Sequence, residues 1–190
     1  GSDAAYTWTS SDPAVAMVRT DLLTDGQRLV GQAAPALEIP YLDRDGVWRF
    51  DPTPRDGARP VLLYFFTTWS EACVPVTEAV AGIDRAREGI TVVGISLDTR
   101  DTVGFLGDYI ARYDLRFPII GAGLGWDGDT DDLLLVDGIP HLVLIGADRR
   151  IKGIDLVGDD RPATTRRIDA ALDALGERAA TDESDEERIP

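Results

Sequence analysis

The chain has 190 residues, 44% of them hydrophobic, which is enough to bury one core and predicts a single domain. Its formal net charge of -15 argues against DNA, RNA or an anionic membrane surface as partners, because all of these carry the same sign of charge. No apolar run approaches the roughly 18 residues that a membrane-spanning helix needs.

The N-terminal segment, residues 1–28, is polar and is predicted to be an extension of the domain. Its first two residues, Gly-Ser, resemble the remnant left by tag removal, so we expect a trimmed chain, in which any signal peptide or anchor would have preceded residue 1. Apolar spacing over residues 14–23 predicts a short helix. Residues 37–39 and 47–50 are separated by a turn sequence that ends in glycine, and they predict a β-hairpin.

Strands alternate with helices in the middle of the chain. Continuous apolar runs at residues 61–66 and 90–97 predict strands buried on both faces, and the first of them should be central. Helical periodicity covers residues 71–87 and 102–113. Residues 116–120 contain a proline and predict a short strand or one near a sheet edge. This alternation favours parallel pairing through crossover connections.

The C-terminal third begins with a predicted short helix at residues 131–136. Residues 141–146 and 151–156 then predict an antiparallel hairpin. Residues 162–175 predict the final helix, with a proline in its first turn and a C-terminal cap at the glycine that follows. The acidic and polar residues 177–190 are predicted to be a disordered tail.

No metal site is expected. The aspartates in residues 127–132 alternate as they do in loops that bind calcium, but the sixth position is Asp132 rather than glycine and the twelfth is Gly138 rather than glutamate. A solvated acidic loop is the favoured interpretation. Cys73 and His141 together would supply only two ligands, too few for a structural zinc site.

The sequence TTWSEAC, residues 67–73, joins a buried strand to an amphipathic helix and contains the only cysteine. In the first turn of a helix, unpaired backbone N–H groups favour a thiolate. The segment resembles the Trp-Cys-x-x-Cys turn of the thioredoxin superfamily, with Ser70 where the first, nucleophilic cysteine would stand. Further similarity to bacterial extracytoplasmic thiol-disulfide oxidoreductases and the related peroxiredoxins lies in residues 31–37, 92–98, 113–119 and 138–140.

This resemblance spans residues 29–176 and implies an α/β fold: a thioredoxin-like three-layer sandwich, with a central mixed β-sheet flanked by helices and the hairpin as an N-terminal extension. It implies a cis peptide bond before Pro140, in a loop that faces the cysteine position. Trp69, Ile139 and Pro140 would form a groove for protein or peptide thiol and disulfide partners. The resemblance implies no cofactor, and an extracytoplasmic location.

The site departs from the pattern that it resembles. The dithiol cycle of those enzymes needs two thiols, and a serine at position 70 cannot attack a disulfide at neutral pH. We therefore expect no dithiol activity from the chain as written. Tyr64 also stands where thioredoxin-type proteins often carry a buried Asp or Asn, so the usual polar support is expected to be missing.

Three interpretations of Cys73 stay open. It is a small buried residue of a redox-inactive or monothiol protein-binding domain, or it is the second thiol of an active disulfide oxidoreductase in which Ser70 is an engineered replacement. Alternatively it is the peroxide-attacking cysteine of a peroxiredoxin-like thiol peroxidase, a family that carries Thr or Ser three residues earlier. Phe66 disagrees with the last interpretation, because peroxiredoxins have a proline at that position.

The only histidine, His141, directly follows Pro140. If this loop faces Cys73, an imidazole within hydrogen-bonding distance could lower the pKa of the thiol or relay a proton. The alternative, which we favour, is a partly exposed side chain beside the groove.

Overall fold

The computed structural model describes residues 26–40, 46–121, 123, 125–126 and 134–186, the last eleven of these by backbone alone. A 3-10 helix at Gly26–Leu29 comes first. The strands are β1 (Leu37–Pro40), β2 (Val47–Phe50), β3 (Val61–Phe66), β4 (Thr91–Ser96), β5 (Ile119–Ile120), β6 (His141–Ile145) and β7 (Ile151–Ile154). The helices are α1 (Cys73–Ala86), α2 (Leu106–Tyr113), preceded by a 3-10 turn at Val103–Phe105, and α3 (Arg161–Glu186).

Five strands form the central sheet in the order β5-β4-β3-β6-β7. Strand β3 pairs parallel with β4 and antiparallel with β6, so the sheet is mixed. All six residues of β3 are buried, which confirms the prediction of a central strand covered on both faces. Strands β1 and β2 form a separate antiparallel hairpin, as predicted.

The two faces of the sheet bury different sets of side chains, because successive strand residues point to opposite faces. On one face, Leu62, Tyr64 and Phe66 pack with Cys73 and with buried side chains of α1, α2 and α3. On the other, Leu63 and Phe65 pack with the hairpin, with Leu29 of the first 3-10 helix and with residues 134–139. The predicted fold class, a mixed sheet between covering layers that include helices, is confirmed.

Several element boundaries differ from the prediction. Strand β5 keeps only two of the five predicted residues, since Pro118 has no N–H for the ladder and contributes its carbonyl to Gly94 instead, at 2.9 Å. The helix predicted at residues 131–136 is not formed in its described part, where Leu134 and Leu135 lie in a turn and Leu135 has φ of 52°.

Helix α3 passes through Gly176 and ends at Glu186, so the predicted cap at Gly176 is wrong. A glycine inside a helix costs about 1 kcal/mol, and the Glu, Arg and Ala residues that follow it are good helix formers. Residues 177–186 are therefore helical rather than the expected disordered tail. Residues 187–190, the predicted helix at 14–23 and the acidic loop at 127–132 lie outside the described residues.

Backbone from the N-terminal third joins both sides of the central sheet. Residues 31–34 run along residues 149–151 on the β7 side, with N–H to carbonyl distances of 2.8 to 2.9 Å. On the β5 side, the Gly121 N–H donates to the Pro40 carbonyl at 2.9 Å. Within the described residues, no helix is both long enough and apolar enough to cross a membrane.

Candidate functional site

The turn between β3 and α1 places Cys73 as the first residue of the helix. The Cys73 N–H donates to the Ser70 carbonyl at 3.0 Å, and the Val74 N–H donates to the Glu71 carbonyl at 3.1 Å. Pro75 fits the first turn because its missing N–H would have no partner in the helix. The helix thus begins two residues later than predicted, with the cysteine at its N-terminal end.

The Cys73 side chain is fully buried, with 0% of its surface exposed. Burial raises the pKa of the thiol above its ordinary value, because a thiolate loses its hydration there. Hydrogen bonds from the Thr67 backbone and from the Ser70 and Tyr64 side chains oppose this shift, and the Asp98 carboxylate adds to it. At neutral pH the group is therefore a protonated thiol shielded from solvent.

A chain of buried hydroxyl groups lies beneath the first turn of α1. The Tyr64 hydroxyl donates to the Cys73 carbonyl at 3.0 Å and lies 2.7 Å from Thr77 Oγ1. Thr77 Oγ1 in turn lies 2.6 Å from the Tyr109 hydroxyl. The expectation that Tyr64 removes polar support from this strand position is therefore wrong, because its hydroxyl is buried and makes two hydrogen bonds under the cysteine.

Asp98 is a site residue to which the sequence analysis gave no role. It is fully buried just beyond β4. Its carboxylate accepts hydrogen bonds from the Thr68 N–H at 3.1 and 3.2 Å, from Thr68 Oγ1 at 2.8 Å and from Ser96 Oγ at 2.8 Å. Asp98 therefore fixes the turn before Cys73. The sequence could have indicated this contact. Thr68 and Asp98 each follow a strand that was predicted to be parallel to the other, and the carboxyl ends of adjacent parallel strands meet at one edge of the sheet.

The predicted groove residues lie at the same end of the sheet as Cys73. Trp69 is 62% exposed and Ser70 is half-buried. The Ile139–Pro140 peptide bond is cis, the conformation that the resemblance implies. These two half-buried residues directly precede β6, whose first residue pairs with Phe65 near the end of β3. Ile139 also packs against the cluster that contains Cys73.

His141 lies on the other face of the sheet from Cys73. Its ring packs edge-on against Phe65 at 6.2 Å, and its Nδ1 lies 3.3 Å from Asp155 Oδ1. The side chain is 3% exposed. Both expectations for this residue are therefore wrong: it neither approaches the thiol nor flanks the groove. Strand alternation is the reason, because residue 141 faces the same way as Phe65, whereas Tyr64 faces Cys73.

Among the described residues, no three His, Cys, Asp or Glu side chains come close enough together to hold a metal ion. Three side chains carry the chemical groups of the candidate site. These are one shielded thiol, the Ser70 hydroxyl at the turn and an exposed tryptophan beside them.

Solved structures of other proteins match the fold of this chain. A secreted Mycobacterium tuberculosis disulfide oxidoreductase, homologous to Escherichia coli DsbE, matches with a TM-score of 0.55 and 23% identity over 70% of this chain and 95% of its own. The thioredoxin domain of a Bacteroides vulgatus thiol-disulfide oxidoreductase matches with a TM-score of 0.58 and 20% identity over 73% and 96%. The fold is thioredoxin-like.

An uncharacterized conserved protein from Geobacillus kaustophilus also shares the thioredoxin-like fold, with a TM-score of 0.63 and 18% identity over 78% of this chain and 82% of its own. No protein-family model and no curated protein matches the sequence. At these identities the similarity establishes the fold, and the activity has to be argued from the site.

Proposed function

We propose that the chain is a thioredoxin-like protein of the thiol-disulfide oxidoreductase type that lacks dithiol activity as written and binds protein or peptide partners. The observation that carries the proposal is the position of its one thiol. Cys73 is fully buried and its pKa is raised, whereas the partly exposed corner of the turn is occupied by Ser70. A disulfide reaching this corner meets a hydroxyl group, which does not exchange with disulfides at neutral pH.

The partner site is the groove formed by Trp69, Ser70, Ile139 and Pro140. An exposed tryptophan next to half-buried apolar residues offers a large contact area at low conformational cost, which suits a peptide side chain. Trp69 projects further into solvent than any other residue of this set. We expect it to supply most of the binding energy.

Insulin reduction in the presence of dithiothreitol tests the first part of the proposal. The chain as written should leave the rate at its uncatalysed value, and so should Ser70→Ala. Ser70→Cys should raise the rate, because it places a second thiol at the partly exposed corner of the turn. Turnover by the unchanged chain would refute the proposal. A higher rate of insulin reduction in Ser70→Cys is also expected if Ser70 replaces a natural cysteine. An unchanged rate in that variant would indicate that the surrounding site no longer supports thiol-disulfide exchange.

Thiol labelling separates this proposal from the peroxidase alternative. A peroxidatic cysteine is an accessible, low-pKa thiolate that forms sulfenic acid under mild peroxide treatment. We expect slow alkylation of Cys73 in the folded protein and no dimedone adduct after peroxide, both measured by intact mass, with the urea-unfolded chain as the control for full reactivity. Rapid labelling at mildly acidic pH, together with peroxide consumption in step with an added reductant, would establish the alternative instead.

The proposal extends to an extracytoplasmic location, since the Mycobacterium tuberculosis structure of the same fold is that of a secreted protein. Cell fractionation of the full-length natural protein tests this. Recovery of the protein only in the cytoplasmic fraction would contradict it.

A further inference from the structure

A concave pocket of about 300 Å³ lies at the end of the sheet away from Cys73. Val61 and Thr91, the first residues of β3 and β4, form part of its wall, and hairpin strand β2 forms another part. Because β3 has six residues, the pocket is separated from the thiol by about 20 Å of strand. It is therefore a different place from the candidate groove.

The charge of this pocket is opposite to that of the molecule. Its wall contains four arginines and a single carboxylate, so its formal charge is positive, whereas the whole chain carries -15. The arginines are Arg49, Arg55, Arg59 and Arg149. The carboxylate is that of Asp51, which already accepts a hydrogen bond from the Thr53 N–H at 2.8 Å.

Arg149 is the buried member of the group. It is 5% exposed, and its guanidinium lies over the Phe50 ring at 5.1 Å from the ring centroid. Its Nε is buried and has no hydrogen-bond partner. A buried donor without an acceptor is costly, and a buried guanidinium is normally matched by an anion. The Nε of Arg149 thus lacks an acceptor, in a side chain that lines the pocket and whose charge also acts on Asp51.

The other arginines differ in how far they are already engaged. Arg49 donates to Glu38 Oε1 at 2.8 Å. Arg55 and Arg59 are exposed, and within the described residues neither side chain forms a salt bridge, although the charge of Arg55 helps to lower the pKa of Asp51. Both can therefore turn to a ligand that enters the pocket without first breaking a salt bridge.

We propose that this pocket binds a small molecule carrying a phosphate group. A phosphate offers several terminal oxygens and up to two negative charges, which match guanidinium groups converging from more than one direction. A single carboxylate would satisfy one arginine and leave the others unmatched. Nucleic acid does not fit, because the strongly negative remainder of the surface would repel it. The half-buried Trp48 at the wall offers an aromatic surface for an organic group attached to the phosphate.

NMR of the full chain, ¹⁵N-labelled at the arginine side chains, tests this proposal with inorganic pyrophosphate as the probe. We expect a saturable shift of the Arg149 Nε–H resonance. Arg59→Gln and Arg55→Gln should each weaken binding by about tenfold, since each removes a charge-assisted hydrogen bond. Arg112→Gln, an exposed arginine on α2, is the matched control and should bind like the wild type.

A parallel titration with AMP and inorganic phosphate distinguishes the sources of the phosphate group. If AMP binds more tightly than inorganic phosphate, the proposal is supported with an organic phosphate as the ligand. If the two bind equally, it is supported with free phosphate as the ligand. The proposal is overturned if millimolar pyrophosphate leaves the Arg149 resonance unchanged, or if Arg59→Gln, Arg55→Gln and Arg112→Gln bind alike. The insulin assay reports on the opposite end of the sheet, so either proposal can fail without the other.

Discussion

His141 is a buried histidine with half of its hydrogen-bonding capacity unused. Nδ1 lies 3.3 Å from the Asp155 carboxylate, while the buried Nε2 has no partner. Burial lowers the pKa of His141 below its ordinary value of 6.5, and the charges of Asp155 and Asp137 only partly oppose the shift. The ring is therefore neutral at pH 7, and protonating it in the folded state is unfavourable.

This burial predicts a loss of stability in mild acid. The unfolded chain takes up the histidine proton first, so stability is fully present above the unfolded pKa and falls as the pH drops below about 6.5. Urea unfolding should show a decrease in the free energy of unfolding from about pH 7 to about pH 5, and His141→Leu should flatten it. The chain has one histidine, so the assignment is direct. Equal slopes in the two proteins would contradict it.

The sequence predicted some residues of the site and misplaced others for a physical reason. Cys73 was expected at the start of a helix because its neighbours on both sides have clear strand and helix patterns. His141 was misplaced because a change of one residue along a strand reverses the face on which a side chain lies. The role of Asp98 depends on Thr68, 30 positions away in sequence, and only the parallel pairing of β3 with β4, not a local pattern, could have indicated this contact.

At the level of elements, Gly94 allows β4 to pack closely against its neighbours. A Cβ atom built there would lie 2.5 Å from Ile119 Cδ1, 3.1 Å from Phe117 Cε2 and 3.2 Å from Phe66 Cε1. A side chain at this position would therefore require the Ile119 side chain to move and the two aromatic rings to give by a few tenths of an ångström.

Gly94→Ala should consequently destabilise the protein by about 1–3 kcal/mol, the usual cost of overpacking a core. The matched control is Gly107→Ala in α2, where nothing lies within 4 Å of the added atom. That variant should gain about 0.5–1 kcal/mol, because alanine is the better helix former. Thermal and urea unfolding measure both changes. Equal effects at the two positions would show that packing at Gly94 is not limiting.

Element boundaries were less predictable from sequence than the elements themselves. Strand β5 is short because one residue, Pro118, withholds its N–H from the ladder. Helix α3 runs past Gly176 because the cost of a single glycine is smaller than the summed helix propensity of the residues around it. Each boundary depends on about 1 kcal/mol, whereas the long apolar and amphipathic runs are decided by much larger burial energies.

For the whole molecule, the core contains three acids that burial keeps neutral. Burial raises the pKa of Tyr64, Tyr109 and Cys73 above their ordinary values of 10.0 for tyrosine and 9.0 for cysteine. All three lie in one cluster between the sheet and the helices. Deprotonation is therefore easier in the unfolded chain than in the folded protein.

The sign of this effect predicts alkaline unfolding. The stability contributed by these groups is fully present below their unfolded pKa values and is lost as the pH rises above about 9 to 10. The free energy of unfolding should decrease above that range, and Tyr109→Phe should make the decrease shallower than Tyr113→Phe does. Urea titrations at increasing pH, with phenolate absorbance as a second signal, measure this. An identical decrease in both variants would count against the explanation.

The fold as a whole was predictable because several independent patterns agreed on it. The alternation of strands and helices, the hairpin and the order of the thioredoxin-like segments all indicate one topology, and the solved structures share it. The arginine pocket had no such signal. Its members come from the hairpin, the following loop and the turn before β7, and only the folded chain brings them together.

The backbone contacts along both sides of the central sheet limit how a peptide can be recognised. Residues 31–34 pair along residues 149–151 at the start of β7, and Pro40 is bonded beyond the short β5, so an incoming strand cannot extend the sheet at these two places. At these places a partner has to be selected by its side chains. The same contacts protect these places against edge-to-edge self-association, so a chain shortened to begin at residue 35 would present the start of the β7 edge to its own copies.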